Sequence, residues 1–231
     1  MEFTVVAQPR TGADRSEDAY AVLDVPMASF MAVVLDTHHV GPNGTAQAER
    51  AAQETVEAFK NAFSQRCGIE RFEAAFEAAD ACMLEYFRGF GAVLTAVCVE
   101  RNEMRVAHLG DTRLYVSAWC KKGFKILTED HVAGSIKESQ RMGKALSTGR
   151  FQVRAHMEHG KVVYRLFRKT WWWWAKEGLQ PTRGLGDATF RPALSPKPEM
   201  ISVPLSPYPK DTVFALCSDG AQKAVERAFE R

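Results

Sequence analysis

Two long amphipathic helices lie among short β-like segments, and this order constrains the fold more than any other feature of the sequence. The first predicted helix runs from Thr45 to about Gln65 and the second from Ile69 to about Arg88, each with apolar residues at three- and four-residue steps. The β-like segments are short and rich in Val, Leu, Phe and Tyr: 3–7, 19–23, 30–35, 93–99, 104–108, 114–117, 162–167 and 213–217. This order predicts strands layered against helices.

Several of these segments, such as Val93–Val99, lack an alternation of apolar and polar residues. Uninterrupted apolar runs are expected for strands that are covered on both faces. Two further helices are predicted, one over about 133–146 and one from near Gly220 to the last residue. The sequence has 231 residues and contains no internal repeat or low-complexity linker, so we expect a single domain over residues 1–231.

Composition excludes several classes of protein. A hydrophobic content of 46% with 25% charged residues is typical of a globular domain, not a disordered chain. The net charge of +2 gives no reason to expect nucleic acid as a partner, and no apolar run is long enough to predict a membrane span. The five cysteines form no CxxC pair and the N-terminus lacks a secretory signal, so we expect a reducing compartment, cytoplasmic or nuclear.

Aspartates recur at the edges of predicted strands, next to glycine or another small residue. They occur in the segments Ser16–Tyr20, Leu35–His38, Leu109–Arg113 and Cys217–Gly220. Mg²⁺ and Mn²⁺ prefer oxygen ligands and usually keep several waters, so a few carboxylates from distant segments can form a site. Each motif alone also has an ordinary interpretation: an acidic pair in a solvated turn, a hairpin turn or a helix cap.

Together with Thr182–Asp187, the four motifs resemble, in the same order, those of the metal-dependent Ser/Thr protein phosphatases of type 2C. The resemblance covers roughly Arg15 to Gly220. It implies an α+β fold with a central antiparallel β-sandwich flanked by pairs of helices. It also implies a site for two Mg²⁺ or Mn²⁺ ions, and the family has a third, weaker metal site. The reaction that it implies is hydrolysis of phosphoserine or phosphothreonine in proteins by a metal-activated water.

The first two motifs supply most of the residues that this resemblance assigns to the site. Glu17 and Asp18 resemble the family's "ED", which implies that Asp18 binds metal and Glu17 lies behind it. Asp36, Thr37 and His38 resemble "DGH". This implies that Asp36 bridges both ions, that the Thr37 carbonyl is a ligand and that His38 protonates the leaving alkoxide. The ordinary pKa of histidine, about 6.5, suits that role.

Two positions near these motifs depart from the family pattern. Thr37 stands where the family has glycine, and a β-branched residue resists the positive φ and close approach that glycine allows. Family members also carry an arginine four residues before the "ED" glutamate, where this sequence has Ala13. Arg15 is the nearby candidate for binding the substrate phosphate.

The remaining motifs add further candidates. Asp111 lies in a segment resembling "GDSR", whose aspartate is associated with the third metal, and Asp219 lies in one resembling "SDG", whose aspartate binds metal. Asp187 ends a segment resembling "TRALGD" and is expected behind the metal ligands. A segment resembling "LTxDH" is expected to cap the next helix through Thr128 or Asp130.

The variable flap of the family corresponds to about 149–180 and contains the four tryptophans Trp171–Trp174. These side chains are either partly buried against the sandwich or form an aromatic docking surface for a protein partner. The family's closing "DN" motif has no counterpart after Gly220, so we expect the C-terminal part of the family domain to be missing from this chain.

Two functions follow from these observations. The leading one is a Mg²⁺- or Mn²⁺-dependent protein Ser/Thr phosphatase. The alternative is a pseudophosphatase that acts as a regulatory protein-binding module, which Ala13, Thr37 and the missing closing motif favour. An unrelated β-sandwich binding protein would require all five motif matches to arise by chance.

Overall fold

The structure is a computed structural model that describes residues 18–24, 30–39, 45–64, 70–118, 123–158, 160–169 and 178–230. Within these ranges it contains four α-helices and eleven strands. The helices are α1 Thr45–Ser64, α2 Glu70–Tyr86, α3 Ile136–Leu146 and α4 Asp219–Glu230. The strands are β1 Asp18–Leu23, β2 Phe30–His39, β3 Phe90–Glu100, β4 Glu103–Leu109, β5 Arg113–Ala118, β6 Lys125–Ile126, β7 Phe151–Glu158, β8 Lys161–Arg168, β9 Leu185–Gly186, β10 Glu199–Pro204 and β11 Thr212–Cys217.

The strands form two antiparallel sheets and a separate hairpin. The first sheet has the order β1-β2-β3-β4-β10, with the short β9 also paired to β3. The second sheet has the order β11-β5-β6, and β7 pairs with β8 alone. The predicted α+β fold, an antiparallel sandwich flanked by helices, is confirmed.

Strand β3 explains how the layers are held together. Its residues are buried along almost the whole strand. Alternate side chains such as Leu94 and Cys98 pack with α1 and α2, whereas Val97 and Val99 pack toward the second sheet. This matches the prediction of a strand covered on both faces. The helix pair α1 and α2 therefore covers one face of the first sheet, and the second sheet covers the other.

The helix pair forms the largest part of the core through aromatic packing. The Phe59 and Phe76 rings meet edge to face with centroids 5.4 Å apart, and Phe63 and Phe72 do so at 5.1 Å. On the far side, α4 packs on the second sheet, where Phe229 lies beside Phe124. Within the described ranges, the helices are too short or too polar to cross a membrane.

A third apolar cluster joins α3 to the β7–β8 hairpin. It contains Met142 of α3, Phe151 and Leu166 of the hairpin, Leu179 before β9 and Phe190 after β9. Only the base of the hairpin takes part in this cluster. The predicted segment 3–7 lies outside the described residues.

Candidate active site

Several strand ends meet at one edge of the sandwich. Strands β2 and β4 are both antiparallel to β3, so they run parallel to each other and end at the same edge. Strand β1 begins there, with Asp18 directly opposite Asp36 of β2. The link after β4 carries Asp111, and β11 ends beside the start of β5, which places Asp219 there as well. Four distant segments therefore bring four aspartates to one edge.

These carboxylates are close enough to act on one another electrostatically. The pKa of Asp36 is raised to about 9, mainly by burial and next by the charges of Asp18, Asp219 and Asp111. Burial also raises the pKa of Asp111 to about 6, with Asp219 as the next contribution. The Ser218 hydroxyl donates to Asp18 Oδ2 at 3.0 Å.

The donor set fits a hard divalent cation that keeps part of its water. Within the described ranges, no group of three or more His, Cys, Asp or Glu side chains is placed to hold a metal ion. Mg²⁺ does not need such a cage, because it is usually held by one or two carboxylates and several waters. The oxygen-only donors and the mutual repulsion around Asp36 match an ion of this kind, since its charge would offset that repulsion.

His38 is held by the aspartate of the fifth motif. Its Nε2 lies 2.6 Å from Asp187 Oδ2, with the Asp187 side chain 3% exposed and the His38 side chain 27% exposed. Gly91 of β3 lies beside this pair, and a Cβ there would overlap both the Asp187 carboxylate and the His38 ring. The contact therefore depends on glycine at position 91.

The turn that carries Asp187 is fixed by α2. Asp80 Oδ1 accepts hydrogen bonds from the Gly186 N–H and from the Arg191 guanidinium, both at 2.8 Å. Asp187 has φ +46°, in the left-handed region, and its N–H donates to the Phe90 carbonyl at 3.0 Å. Asp80 was not predicted, because an aspartate on the face of an amphipathic helix carries no distinctive sequence signal.

Thr37 occupies regular extended backbone. It pairs with Ala92 of β3, is buried, and does not have the positive φ that glycine would permit. A β-branched residue suits this conformation. The glycine-to-threonine departure therefore leaves the strand regular up to His39.

A buried series of hydrogen bonds supports the segment that carries Asp111. The Glu129 carbonyl can only accept, so His108 Nε2 donates to it at 3.0 Å and His108 Nδ1 accepts from the Thr95 hydroxyl at 2.7 Å. Thr95 in turn accepts from the Thr112 hydroxyl at 2.6 Å. Burial lowers the pKa of His108 to about 3, so the ring is neutral. This residue was missed because a lone histidine in an apolar strand has no distinctive spacing.

A second buried histidine holds the backbone of the same segment. His131 Nδ1 accepts the Gly110 N–H at 3.1 Å, and its Nε2 lies 3.0 Å from Glu199 Oε2. Its ring stacks on that of His108, with centroids 4.7 Å apart. The two histidines therefore fix the residues on both sides of Asp111. The predicted tight turn here joins two different sheets and is not a hairpin.

The prediction that Thr128 or Asp130 caps the next helix was wrong. Helix α3 has Ser135 as its N-cap residue, and no side chain caps it. The Thr128 hydroxyl instead accepts the Leu114 N–H at 3.2 Å, and Asp130 binds Arg113 through two hydrogen bonds of 2.9 and 2.6 Å. Both residues lie too far before the helix start to reach its first turn.

Several predicted residues lie outside the described part of the chain: Glu17, Arg15, Ala13 and Trp171–Trp174. The roles predicted for them therefore stay predictions. The other candidates, Asp18, Asp36, Thr37, Asp111 and Asp219, lie in the elements that meet at this edge, and His38 and Asp187 contact each other beside them.

Solved structures share this fold. A serine-threonine phosphatase 2C from Toxoplasma gondii gives a TM-score of 0.66 at 16% identity, covering 94% of this chain and 78% of that one. A C. elegans sex determining protein gives 0.62 at 21% identity, covering 91% and 50%. The Mycobacterium tuberculosis serine/threonine phosphatase PstP/Ppp gives 0.54 at 17% identity, covering 96% and 80%. At these identities, the likeness establishes the fold alone.

Sequence comparison gives the family. A curated protein of Oryza sativa subsp. japonica, named "Protein kinase and PP2C-like domain-containing protein", is 29% identical over 130 residues, which are 56% of this chain. The match spans 17% of the length of that relative. The family model described as Protein phosphatase 2C matches residues 2–227, almost the whole sequence. The chain belongs to the protein phosphatase 2C family.

Proposed function

We propose that this chain is a protein phosphatase that hydrolyses phosphoserine and phosphothreonine in proteins with the help of two Mg²⁺ or Mn²⁺ ions. The observation that carries the proposal is the convergence of Asp18, Asp36 and Asp219 at one edge of the sandwich, with a positioned histidine beside them. Membership of the protein phosphatase 2C family supports it.

The carboxylates of Asp18, Asp36 and Asp219, with the Thr37 carbonyl, would hold the two ions, and Asp111 would take part in a third site. When bound, such ions supply an activated water and neutralise the phosphoryl oxygens. Phosphoryl transfer requires mainly positioning and charge neutralisation from a protein, which a set of fixed carboxylates provides. Glu17 and Arg15 keep their predicted roles behind the ligands and at the phosphate.

His38 is proposed to give a proton to the leaving Ser or Thr oxygen. Asp187 holds His38 Nε2 at 2.6 Å, so it fixes the plane of the ring. Asp187 therefore acts through His38 as a positioning residue.

A thiol nucleophile is not needed, and the described cysteines are unsuited to supply one. Burial raises the pKa of Cys98 to about 11 and that of Cys217 to about 12. The thiolate is the nucleophilic form, and these two side chains would be protonated at neutral pH. This favours direct attack by water over a covalent cysteinyl intermediate.

Phosphate release from a phosphothreonine peptide, measured with Mn²⁺ and with EDTA, tests the proposal. We expect release in Mn²⁺, none in EDTA, and a loss of about 10²-fold or more in Asp219→Asn, because a ligand is removed without a change of shape. Glu103→Gln, at a half-exposed carboxylate at the opposite end of β4, is the control and should retain activity. Release that persists in EDTA would exclude the metal-dependent mechanism.

A pseudophosphatase that binds a protein partner is the second candidate. It is favoured by one observation: Ala13 stands where the family carries the arginine that binds the substrate phosphate. The two candidates differ in their response to metal alone. If Mn²⁺ does not raise the melting temperature of the folded chain and no phosphate is released, the pseudophosphatase is supported.

The substrates are proposed to be phosphoproteins of the cytoplasm or nucleus, and the flap with Trp171–Trp174 is a candidate docking surface. Replacing Trp172 and Trp173 with alanine should reduce turnover of a phosphoprotein more than turnover of a small aryl phosphate. An equal loss on both substrates would contradict docking.

A further inference from the structure

The β7–β8 hairpin and its flanks, residues 150–169, carry a charge opposite to that of the rest of the chain. We call this segment the basic hairpin. It contains six Lys or Arg residues and one acidic residue, Glu158, whereas the rest of the chain contains 24 basic and 27 acidic residues. The net charge of +2 for the whole chain therefore includes a local excess of five positive charges in the basic hairpin. A concentrated charge of this kind attracts a partner of opposite sign.

Most of this positive charge is not neutralised within the fold. Arg165 pairs with Glu158 through hydrogen bonds of 2.6 and 3.0 Å. Four other basic side chains form no ion pair with any described residue: Arg150, Lys161, Arg168 and Lys169. The Nε atom of Arg168 is also buried without a hydrogen-bond partner. The exposed side chains of Arg150, Lys161 and Lys169 are therefore available to an external acidic group.

The base of the basic hairpin borders the proposed phosphatase site. Leu166 of β8 and Leu179 exchange two backbone hydrogen bonds, of 2.7 and 3.0 Å. The next residue, Gln180, has its amide Nε2 3.5 Å from Asp111 Oδ2. A polypeptide that presents a phosphorylated residue to this edge therefore has flanking residues within reach of the hairpin.

The tip of the basic hairpin adds an apolar surface. Met157, Val162 and Tyr164 are 69%, 56% and 45% exposed. Met157 lies opposite Val162, and Tyr164 lies two residues away on the same face. Cations beside exposed apolar side chains suit an extended peptide that carries both acidic and apolar residues better than they suit a nucleic acid, which binds through several stacking rings.

We propose that the basic hairpin binds an acidic segment of the phosphoprotein substrate, next to the residue that is dephosphorylated. The inference rests on the proposed phosphatase function and specifies its substrate class: phosphosites flanked by Asp or Glu. The attraction between opposite charges would raise the rate of encounter and select among substrates.

Fluorescence anisotropy of labelled peptides in EDTA, where no turnover is expected, tests this directly. The two probes are a phosphothreonine peptide flanked by Asp and Glu and the same peptide flanked by Asn and Gln. We expect the acidic peptide to bind about tenfold more tightly at low salt, and this preference to disappear in the double variant Lys161→Glu/Lys169→Glu. Both substituted side chains are exposed, so the fold should be unaffected.

A matched double variant, Lys125→Glu/Lys210→Glu, changes the net charge equally at exposed positions outside the hairpin and should keep the preference. Equal binding of the two peptides by the wild type would overturn the proposal, as would an equal loss in both double variants. Tighter binding of a single-stranded oligonucleotide than of the acidic peptide would assign the surface to nucleic acid instead.

Hydrolysis of a small aryl phosphate with Mn²⁺ separates this inference from the proposed function. Hydrolysis without any preference for the acidic peptide would contradict the hairpin inference alone. A preference for the acidic peptide without any hydrolysis would contradict the phosphatase function, and the basic hairpin would then bind acidic segments without processing them.

Discussion

Two carboxylates of this fold, the half-buried Asp36 and the buried Glu138, lie in opposite electrostatic surroundings. Glu138 of α3 accepts hydrogen bonds from Arg183 at 2.9 and 2.7 Å, from Arg141 at 2.7 Å and from the Thr182 hydroxyl at 2.9 Å. Burial alone would raise the pKa of Glu138, but these partners outweigh it and hold the pKa at about 2. At Asp36, burial and neighbouring carboxylates act together and raise the pKa to about 9.

The difference separates a carboxylate whose charge is balanced within the fold from one whose charged neighbours have the same sign, and we propose that a bound cation offsets the repulsion at the second. The charge of Glu138 is balanced by two guanidinium groups that belong to the fold. The charges acting on Asp36 come from Asp18, Asp219 and Asp111, and all three are negative. A site arranged in this way destabilises the metal-free protein and gains stability when a cation binds.

The largest expected effect of a single substitution is at Asp36. Asp36→Asn removes the charge and keeps the shape, so activity should fall by about 10³-fold. The metal-free variant should be more stable than the wild type by up to about 4 kcal/mol at pH 7, because the folded-state pKa of about 9 lies above the ordinary 3.8 and the carboxyl must take up a proton on folding. Activity assays and thermal unfolding in EDTA measure the two effects.

The same variant has a direct readout in metal binding. Mn²⁺ should raise the melting temperature of the wild type and have little effect on Asp36→Asn. A variant that is less stable than the wild type in EDTA would show that Asp36 is a structural group like Glu138, and the contrast between the two regions would be lost.

The next largest effect is expected at Gly91. A methyl group there would overlap the His38 ring and the Asp187 carboxylate, so Gly91→Ala should lower kcat by about 10²-fold, as for the loss of a general acid. Gly143→Ala is the matched control, since nothing lies within 4 Å of that Cβ in α3, and alanine is favoured in a helix by about 1 kcal/mol. Normal kcat in Gly91→Ala would exclude a role for the His38–Asp187 contact.

The sequence predicted the scaffold well where one signal dominated. The apolar stripes of α1 and α2 gave their limits to within a few residues, and the continuous apolar run of β3 indicated burial on both faces. Strands β7 and β10 were missed because charged or polar side chains interrupt them, as in the segment Phe151–Glu158. Pairing determines their conformation: β10 pairs with β4, which lies far along the chain, and β7 pairs with β8 in a hairpin.

The site could be predicted only in part. Short motifs singled out Asp18, Asp36 and Asp219, which the fold brings to one edge, and their role as metal ligands stays a prediction. Residues that act through geometry gave no such signal: Asp80 reaches the Gly186 N–H across 106 positions, and His108 supports Thr112 only through Thr95. Contacts between distant segments depend on the packed fold and are not visible in a local pattern.

Glu138→Gln tests the structural side of the comparison. It leaves two guanidinium groups without their buried counter-charge, so the free energy of unfolding should fall by about 3 kcal/mol. In a chain of this size, that corresponds to a decrease of about 9 °C in melting temperature. The control is Glu54→Gln, which breaks an exposed pair with Arg50 and should cost no more than about 0.5 kcal/mol. Similar costs for both variants would contradict a special role for Glu138.

The smallest effect is the dependence of stability on acid. The pKa of Glu138 is lowered from 4.5 to about 2 in the folded state, so its stabilisation is complete above pH 4.5 and is lost as the pH falls toward 2. Between pH 5 and pH 3, the wild type should therefore lose about 2 kcal/mol that Glu138→Gln does not lose. Urea unfolding of both proteins at these two pH values measures the difference. Parallel losses would mean that Glu138 is not held ionised by Arg141 and Arg183, and the acid sensitivity of the fold would then have to come from other carboxylates.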